Sequence, residues 1–404
     1  MFSMLKSRVS LATNLIAALG WLAFVAYMLI RSDILWWDFH VYRSASSIFI
    51  SSGDPYIDLG SVQVIRVKAA LPYVYPPLTL LAFAPFTVLP AKAAATLWLA
   101  LKFVAGGFLW KSWSRRLGTP IDGRFALFAL VGFNASLLTD LLCGNAAFFE
   151  CCLLTYAMFA LIDKRTTLFV VLVCAAAAFK VTPLFLLVLA PVMVGRAAIR
   201  PCVYAVFGFI LYFAANLALF PKITMEFVAT AASRDESRAN NPSLLEFSRD
   251  LATRIPLLDF HLVYASCSIA ILWVGYRALK AKVWDATETV FFGWTTLALV
   301  LPRLMVYSFV PFLPIAWLVA MRLKGWPRIL LLVAICFQLP ESYLFTPRPG
   351  LGPIVGTALA MKPELYGYLS LYVLFAVWVL MIQQSRSKDL HETVPVVGES
   401  FVLP

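Results

Sequence analysis

The sequence predicts an all-α polytopic membrane protein: a bundle of about twelve transmembrane helices, with further helices lying along its outer face. Three observations carry this. Of 404 residues, 62% are hydrophobic and 13% are charged, where a soluble domain has roughly 45–50% and about 25%. Apolar runs close to the ~20 residues that cross a hydrocarbon layer recur along almost the whole chain. The short connections between them alternate between basic and non-basic, as the positive-inside rule demands.

Taken in order, Lys6 and Arg8 precede the apolar run 11–30, and Arg31, Ser32 and Asp33 follow it. No small-residue cleavage site is present there, so the run reads as a retained first span rather than a signal peptide. Residues 42–50 form an amphipathic piece, and Gly53, Pro55, Gly60 and Pro72 break the chain up to Tyr75. The apolar run 76–90 is short and bounded by prolines, which suits an interfacial helix better than a span. Spans are then expected at 93–113, 125–142, 146–162, 166–179, 181–194, 202–220, 257–276, 287–301, 306–321, 329–345 and 365–382.

The charge pattern decides the status of 76–90. If it does not cross, the clusters Lys111/Arg115/Arg116/Arg124, Lys164/Arg165, Arg196/Arg200, Arg277/Lys280/Lys282, Arg322/Lys324/Arg328 and Arg386/Lys388 all fall on the side of the N-terminus. If it crosses, every later cluster is misplaced. Both termini are therefore expected in the cytoplasm of a bacterium, with the protein in its plasma (inner) membrane. The net charge of +12 reports topology and not a nucleic-acid partner. Residues 1–384 form one polytopic domain, with outer loops at 31–91, 221–256 and 346–363, and 385–404 form a disordered cytoplasmic tail. All seven cysteines fall in apolar runs, which favours packing over disulfides.

The spans 166–179 and 181–194 are too short, since about fourteen residues at 1.5 Å rise cover only about 21 Å. Their junction, Lys180-Val181-Thr182-Pro183, is expected to stop below the outer surface and to line a cavity.

Chemistry points to the outer side. Asp38 follows the first span among Trp36, Trp37 and Tyr42. A carboxylate partly desolvated by rings has its pKa raised toward the range of a general base; the alternative is a solvated loop acid. Trp36 and Trp37 are expected to anchor at the interface as part of an aromatic belt. Gly53-Asp54-Pro55 is turn chemistry. Charges within or at the ends of spans are Lys102, Asp140, Glu150, Lys180 and Arg303. Such groups face a cavity, a partner or a pathway, or snorkel to the headgroups. Snorkelling is expected for Lys102, and an Asp140–Lys180 ion pair is one expectation for those two. Lys180 and Arg303, both on the side of Asp38, suit a phosphate. His40, His261 and His391 are scattered, without zinc-ligand spacing. Neither a Gly-rich phosphate loop nor an Asp-x-Asp pair occurs. No cofactor or metal is expected.

Read in order, Asp38-Phe39-His40-Val41-Tyr42, Gly53-Asp54-Pro55-Tyr56, Tyr75-Pro76-Pro77-Leu78 with Pro85 and Pro90, Lys180-Val181-Thr182-Pro183, and Pro302-Arg303 with Tyr307 resemble glycosyltransferase family 87 over residues 11–320. The chain departs from the family's pattern at Cys143-Gly144-Asn145 and at Asn240-Asn241-Pro242-Ser243. The resemblance implies a GT-C fold and transfer of mannose from a polyprenyl-phosphate donor to a glycolipid or glycan acceptor at the membrane. It makes Asp38 the base and Lys180 and Arg303 the donor-phosphate ligands. His40, Tyr42, Tyr75, Asn145, Asn241 and Tyr307 become substrate contacts. A lipid or solute transporter would share the broken spans and buried charges, and stays open on sequence alone.

Overall fold

The computed structural model describes residues 2–31, 35–57, 72–118, 121–233, 241, 243–255, 257–280, 285–336 and 369–381. Among these residues every regular element is a helix. The expected outer loop 346–363 and the tail 385–404 lie outside the described residues.

The first half runs α1 (Phe2–Ile30), α2 (Trp37–Ile50), α3 (Leu80–Thr87), α4 (Ala91–Leu117), α5 (Gly123–Cys143), α6 (Ala147–Ile162), α7 (Thr166–Ala177), α8 (Leu189–Val194) and α9 (Ile199–Leu219). The second half runs α10 (Pro221–Ser233), α11 (Leu244–Arg254), α12 (Phe260–Lys280), α13 (Ala286–Leu299), α14 (Phe312–Arg322), α15 (Trp326–Cys336) and α16 (Leu369–Met381). Among the described residues, five helices are long and apolar enough to cross a membrane unaided: Ser10–Ile30, Ala91–Leu117, Gly123–Cys143, Arg196–Leu219 and Phe260–Lys280. The other expected crossings fall on shorter helices. α9 makes the environment plain, because Val203, Phe207, Ile210 and Leu211 are all exposed; a helix apolar on its outward face needs lipid around it.

α2 and α3 form a small module on the spans. Ser46 Oγ donates to the carbonyl of Leu80 at 2.9 Å. The Arg43 guanidinium donates to the carbonyls of Phe86 at 3.1 Å and Leu89 at 2.8 Å. These carbonyls lie at and just past the end of α3, where a cation complements the helix dipole. Beneath the module, Phe39 stacks on Trp98 with centroids 5.2 Å apart and meets Phe86 edge-on at 5.4 Å.

Two breaks in the spans position the site. The first was expected: α7 stops at Ala177, and after Lys180 the chain resumes as a 3-10 helix, Thr182–Val188, with Pro183 in its first turn. The second has no strong sequence signal. Inside α5, Gly132 is extended, and Phe133, Asn134 and Ala135 all have positive φ, a conformation costing roughly 1–2 kcal/mol per residue for L-amino acids. Packing holds it: Phe133 stacks on Phe309 at 5.7 Å, nearly parallel, and Phe133, Asn134 and Ala135 are buried.

Trp36 departs from the expected interfacial belt. It is 1% exposed with φ 59°, and its backbone N–H donates to the carbonyl of Leu142 at 2.8 Å. It plugs the bundle at the end of α5 and does not anchor in headgroups, because the protein interior offers an indole the same apolar contact that the bilayer edge does. The seven cysteines are free thiols in helices.

Candidate active site

α2 carries Asp38 in its first turn, and the end of α5 meets it there. Gly144 caps α5 with φ 71°, the left-handed geometry in which glycine avoids the Cβ penalty. A Cβ on Gly144 would lie 3.0 Å from Phe39 Cβ and 3.1 Å from Trp36 Cβ, so glycine is needed for the close approach as well. Trp98 Nε1 donates to the Gly144 carbonyl at 2.9 Å. This turn delivers Asn145, whose Nδ2 donates to Asp38 Oδ2 at 2.6 Å. Asn145 Oδ1 is also used, accepting from the Ala147 backbone N–H at 2.8 Å at the start of α6.

Asp38 keeps part of its surface open but sits among dense neighbours. Burial is the main cause that raises its carboxyl from 3.8 to about 6. Asn145 opposes the shift by hydrogen-bonding the carboxylate, the charge of Asp140 reinforces it, and Lys102 and Lys180 pull it back. The resulting group is a carboxylate at neutral pH with enough basicity to take a proton from a hydroxyl.

Behind Asp38 lies a buried ion pair between Lys102 on α4 and Asp140 on α5, both side chains fully buried. Lys102 Nζ also donates to the Asp140 backbone carbonyl at 3.1 Å. Two expectations are corrected here. Lys102 does not snorkel, because the helices around it shut off the path to the surface and Asp140 supplies its partner. Asp140 does not pair with Lys180; Lys180 Nζ lies 3.3 Å from Glu150 Oε2 on α6.

The break after α7 opens a cavity of about 350 Å³ lined by Glu150, Lys180, Thr182, Arg303, Ser308 and apolar side chains of α6, α7, α13 and α14. Lys180 and Arg303, 123 positions apart in the chain, both line it. Lys180 Nζ also sits 5.0 Å from the Tyr307 ring centroid, a cation–π contact. Asp38 does not line the cavity but lies within electrostatic reach of Lys180, Tyr75 and Tyr307.

The remaining expected contacts divide by what they touch. Tyr75 and Tyr307 each lie within electrostatic reach of both Asp38 and Lys180. His40 is half-buried on α2, its ring 6.0 Å from that of Phe39, and burial lowers its pKa. Tyr42 is buried, its hydroxyl 3.0 Å from that of Tyr75, and burial pushes both phenols up, so they stay neutral. Asn241 donates to the Pro302 carbonyl at 3.1 Å and accepts from the Leu304 N–H at 2.8 Å, bracketing Arg303. Tyr42, Asn145 and Asn241 each also hydrogen-bond another group of the site.

Sequence reasoning had Glu150 as a charge inside a span but not its partner, and it did not see the roles of Ser243 and Asn216. Glu150 holds Lys180, Ser243 Oγ adds a second bond to the Pro302 carbonyl at 2.8 Å, and buried Asn216 on α9 accepts from the Leu78 N–H at 2.8 Å, tying α9 to the Tyr-Pro-Pro segment. Polar residues at inward positions of apolar helices were the available signal for Glu150 and Asn216. Among the described residues, no three His, Cys, Asp or Glu side chains gather as a metal site.

Residues 73–308 match the family model of glycosyltransferase family 87. The chain belongs to this family. It is a membrane glycosyltransferase of the GT-C fold. No curated protein matches the chain in sequence. The matched stretch is narrower than the resemblance over 11–320: it includes Tyr75, Asn145, Lys180, Asn241, Arg303 and Tyr307 but begins after Asp38, His40 and Tyr42. In this glycosyltransferase the link between the two parts is physical, through the hydrogen bond from Asn145 to Asp38.

Proposed function

We propose that this glycosyltransferase moves mannose from a polyprenyl-phosphate donor to a hydroxyl of a glycolipid or glycan acceptor. The transfer takes place on the periplasmic face of a bacterial inner membrane, with both chain ends cytoplasmic. The observation that carries the reading is that Lys180 and Arg303 line one cavity and that Lys180 lies within electrostatic reach of a carboxylate whose pKa is raised to about 6.

The acceptor hydroxyl gives its proton to Asp38, and its oxygen attacks the anomeric carbon from the side opposite the phosphate. The bond to the phosphate oxygen breaks with its electron pair, so configuration inverts. A phosphate ester is already a good leaving group, and catalysis becomes positioning plus stabilisation of the charge that develops on it. Lys180 supplies a point charge and Arg303 a planar fork for that charge. Asn145 occupies Asp38 Oδ2 and leaves Oδ1 for the acceptor. Tyr75 and Tyr307, between acid and cation, wall the sugar, with His40 on the acceptor side. The short helix α3 and its neighbouring spans take the polyprenyl chain.

The test is donor-dependent transfer in membranes carrying the wild-type protein or Asp38→Asn at equal level. The variant is expected to lose activity by about 10²–10⁴-fold, the range for a general base. Transfer near the wild-type rate removes Asp38 from that role, and solute movement without a new glycosidic bond removes the reaction.

A further inference from the structure

α7 and α9 begin at the same end of the bundle and run side by side. Between them lies a groove of about 750 Å³, lined from Thr167 and Arg200 at one end to Ala178 and Tyr212 at the other. At 1.5 Å rise per residue, the path from Thr167 to Ala178 makes it about 16 Å long. It opens toward the lipid, since Val171, Ala175 and Tyr204 on its rim are exposed.

The lining keeps this space open. A Cβ on Gly208 would meet nothing within 4 Å, and Ala175, Ala178 and Ala205 are the other small residues along it. The far end is closed by the Tyr212 hydroxyl, which donates to the Ala178 carbonyl at 3.1 Å.

The near end is basic. Arg200 is held there by Tyr204: its Nε donates to the Tyr204 hydroxyl at 2.7 Å, and its guanidinium lies 5.3 Å from that ring's centroid. An adjoining hollow shares Thr167 and Val171 with the groove and is lined by Lys164 and Arg165. α7 starts at this hollow without a side-chain cap, and a helix N-terminus favours an anion. Asp163, the neighbouring acid, is taken by Arg116 through two bonds at 2.7 and 2.8 Å.

We propose that this groove seats an anionic phospholipid, with one acyl chain between α7 and α9 and its phosphate at Arg200, Lys164 and Arg165. The inference is independent of the transfer reaction.

Lipid tails fill any groove that faces the bilayer, and they gain no hydrophobic free energy by leaving other tails. The headgroup therefore decides which lipid stays. Basic pockets between spans retain anionic headgroups, each Lys or Arg near the surface contributing a favourable increment. The positive-inside rule accounts for basic residues at this end of the bundle, but it requires no groove beside them and no preference among lipids. The sugar donor is an anionic lipid too, yet its phosphate is assigned to Lys180, which follows the opposite end of α7. One molecule does not place its phosphate at both ends.

The experiment uses the full chain in neutral detergent, with native mass spectrometry reading the lipid retained after addition of phosphatidylglycerol or of phosphatidylcholine with the same acyl chains. Wild-type protein is expected to retain phosphatidylglycerol in preference. Arg200→Gln, and Lys164→Gln with Arg165→Gln, should weaken it about fivefold for each charge removed and leave phosphatidylcholine unchanged. Gly208→Leu fills the groove without touching its charges and should abolish the retained phosphatidylglycerol. Should Gly208→Leu fail to fold, Ala175→Leu fills the same groove from α7. Equal retention of the two lipids by wild-type protein, full retention in the groove-filling variants, or equal loss of both lipids in the charge variants overturns the proposal. If polyprenyl phosphate takes the Gly208-dependent seat in preference to phosphatidylglycerol, the groove belongs to the donor and the proposal fails.

Discussion

Asn145 Nδ2 donates to Asp38 Oδ2 at 2.6 Å, across 107 positions of sequence. That bond joins the acid after the first span to the start of α6, which lines the cavity, and it favours the ionised acid against the larger effect of burial.

The acid limb of activity follows from Asp38. A general base works only as the carboxylate, so kcat/KM should rise with pH through about 6 and level off above it. Stability moves the other way. A carboxyl raised from 3.8 to about 6 binds its proton more tightly folded than unfolded, so its own contribution to stability is greatest below about 4 and falls as pH rises through about 6. Asp38→Asn should abolish that slope, as read by thermal unfolding in detergent across this range.

Asn145→Ala removes the hydrogen bond that favours the ionised acid. The midpoint of the acid limb should move above 6, with transfer at pH 7 reduced by about 2–10-fold. A lowered rate with an unmoved midpoint would mean that Asn145 does not set the charge state of Asp38.

Lys102 and Asp140 are buried without solvent, and removing either leaves the other charge alone. Lys102→Met should cost about 3–5 kcal/mol, and the double variant Lys102→Met/Asp140→Leu should recover most of it. Activity separates the two partners further. Asp140 raises and Lys102 lowers the Asp38 carboxyl, so Asp140→Asn moves the acid limb down and Lys102→Met moves it up. Differential scanning of unfolding and a pH–rate profile read the two effects.

Asn241 brackets Arg303 through the Pro302 carbonyl and the Leu304 N–H. Asn241→Ala frees the Leu304 N–H in a buried setting, a penalty of about 1–3 kcal/mol, and leaves the Pro302 carbonyl to Ser243 alone. The donor KM should rise by about 5–30-fold with a smaller change in kcat. A change in acceptor KM alone would place Asn241 on the other substrate.

The sequence by itself determined the fold class, the first span and the break at Lys180-Pro183. Each rests on local chemistry: an apolar run must be buried or in lipid, and a proline cannot continue the hydrogen-bond ladder. Tertiary structure decided the partners. Lys102, Asp140, Glu150 and Lys180 were all visible as charges inside spans, yet their pairing depends on how α4, α5, α6 and α7 are rotated against one another, which apolar periodicity does not encode when helices are hydrophobic all round. The same holds for Trp36, since composition cannot distinguish a bilayer edge from a protein interior, and for Asn241, whose partners are backbone atoms of a distant loop. The left-handed break at Phe133–Ala135 exists only because packing against Phe309 and the surrounding core sustains it.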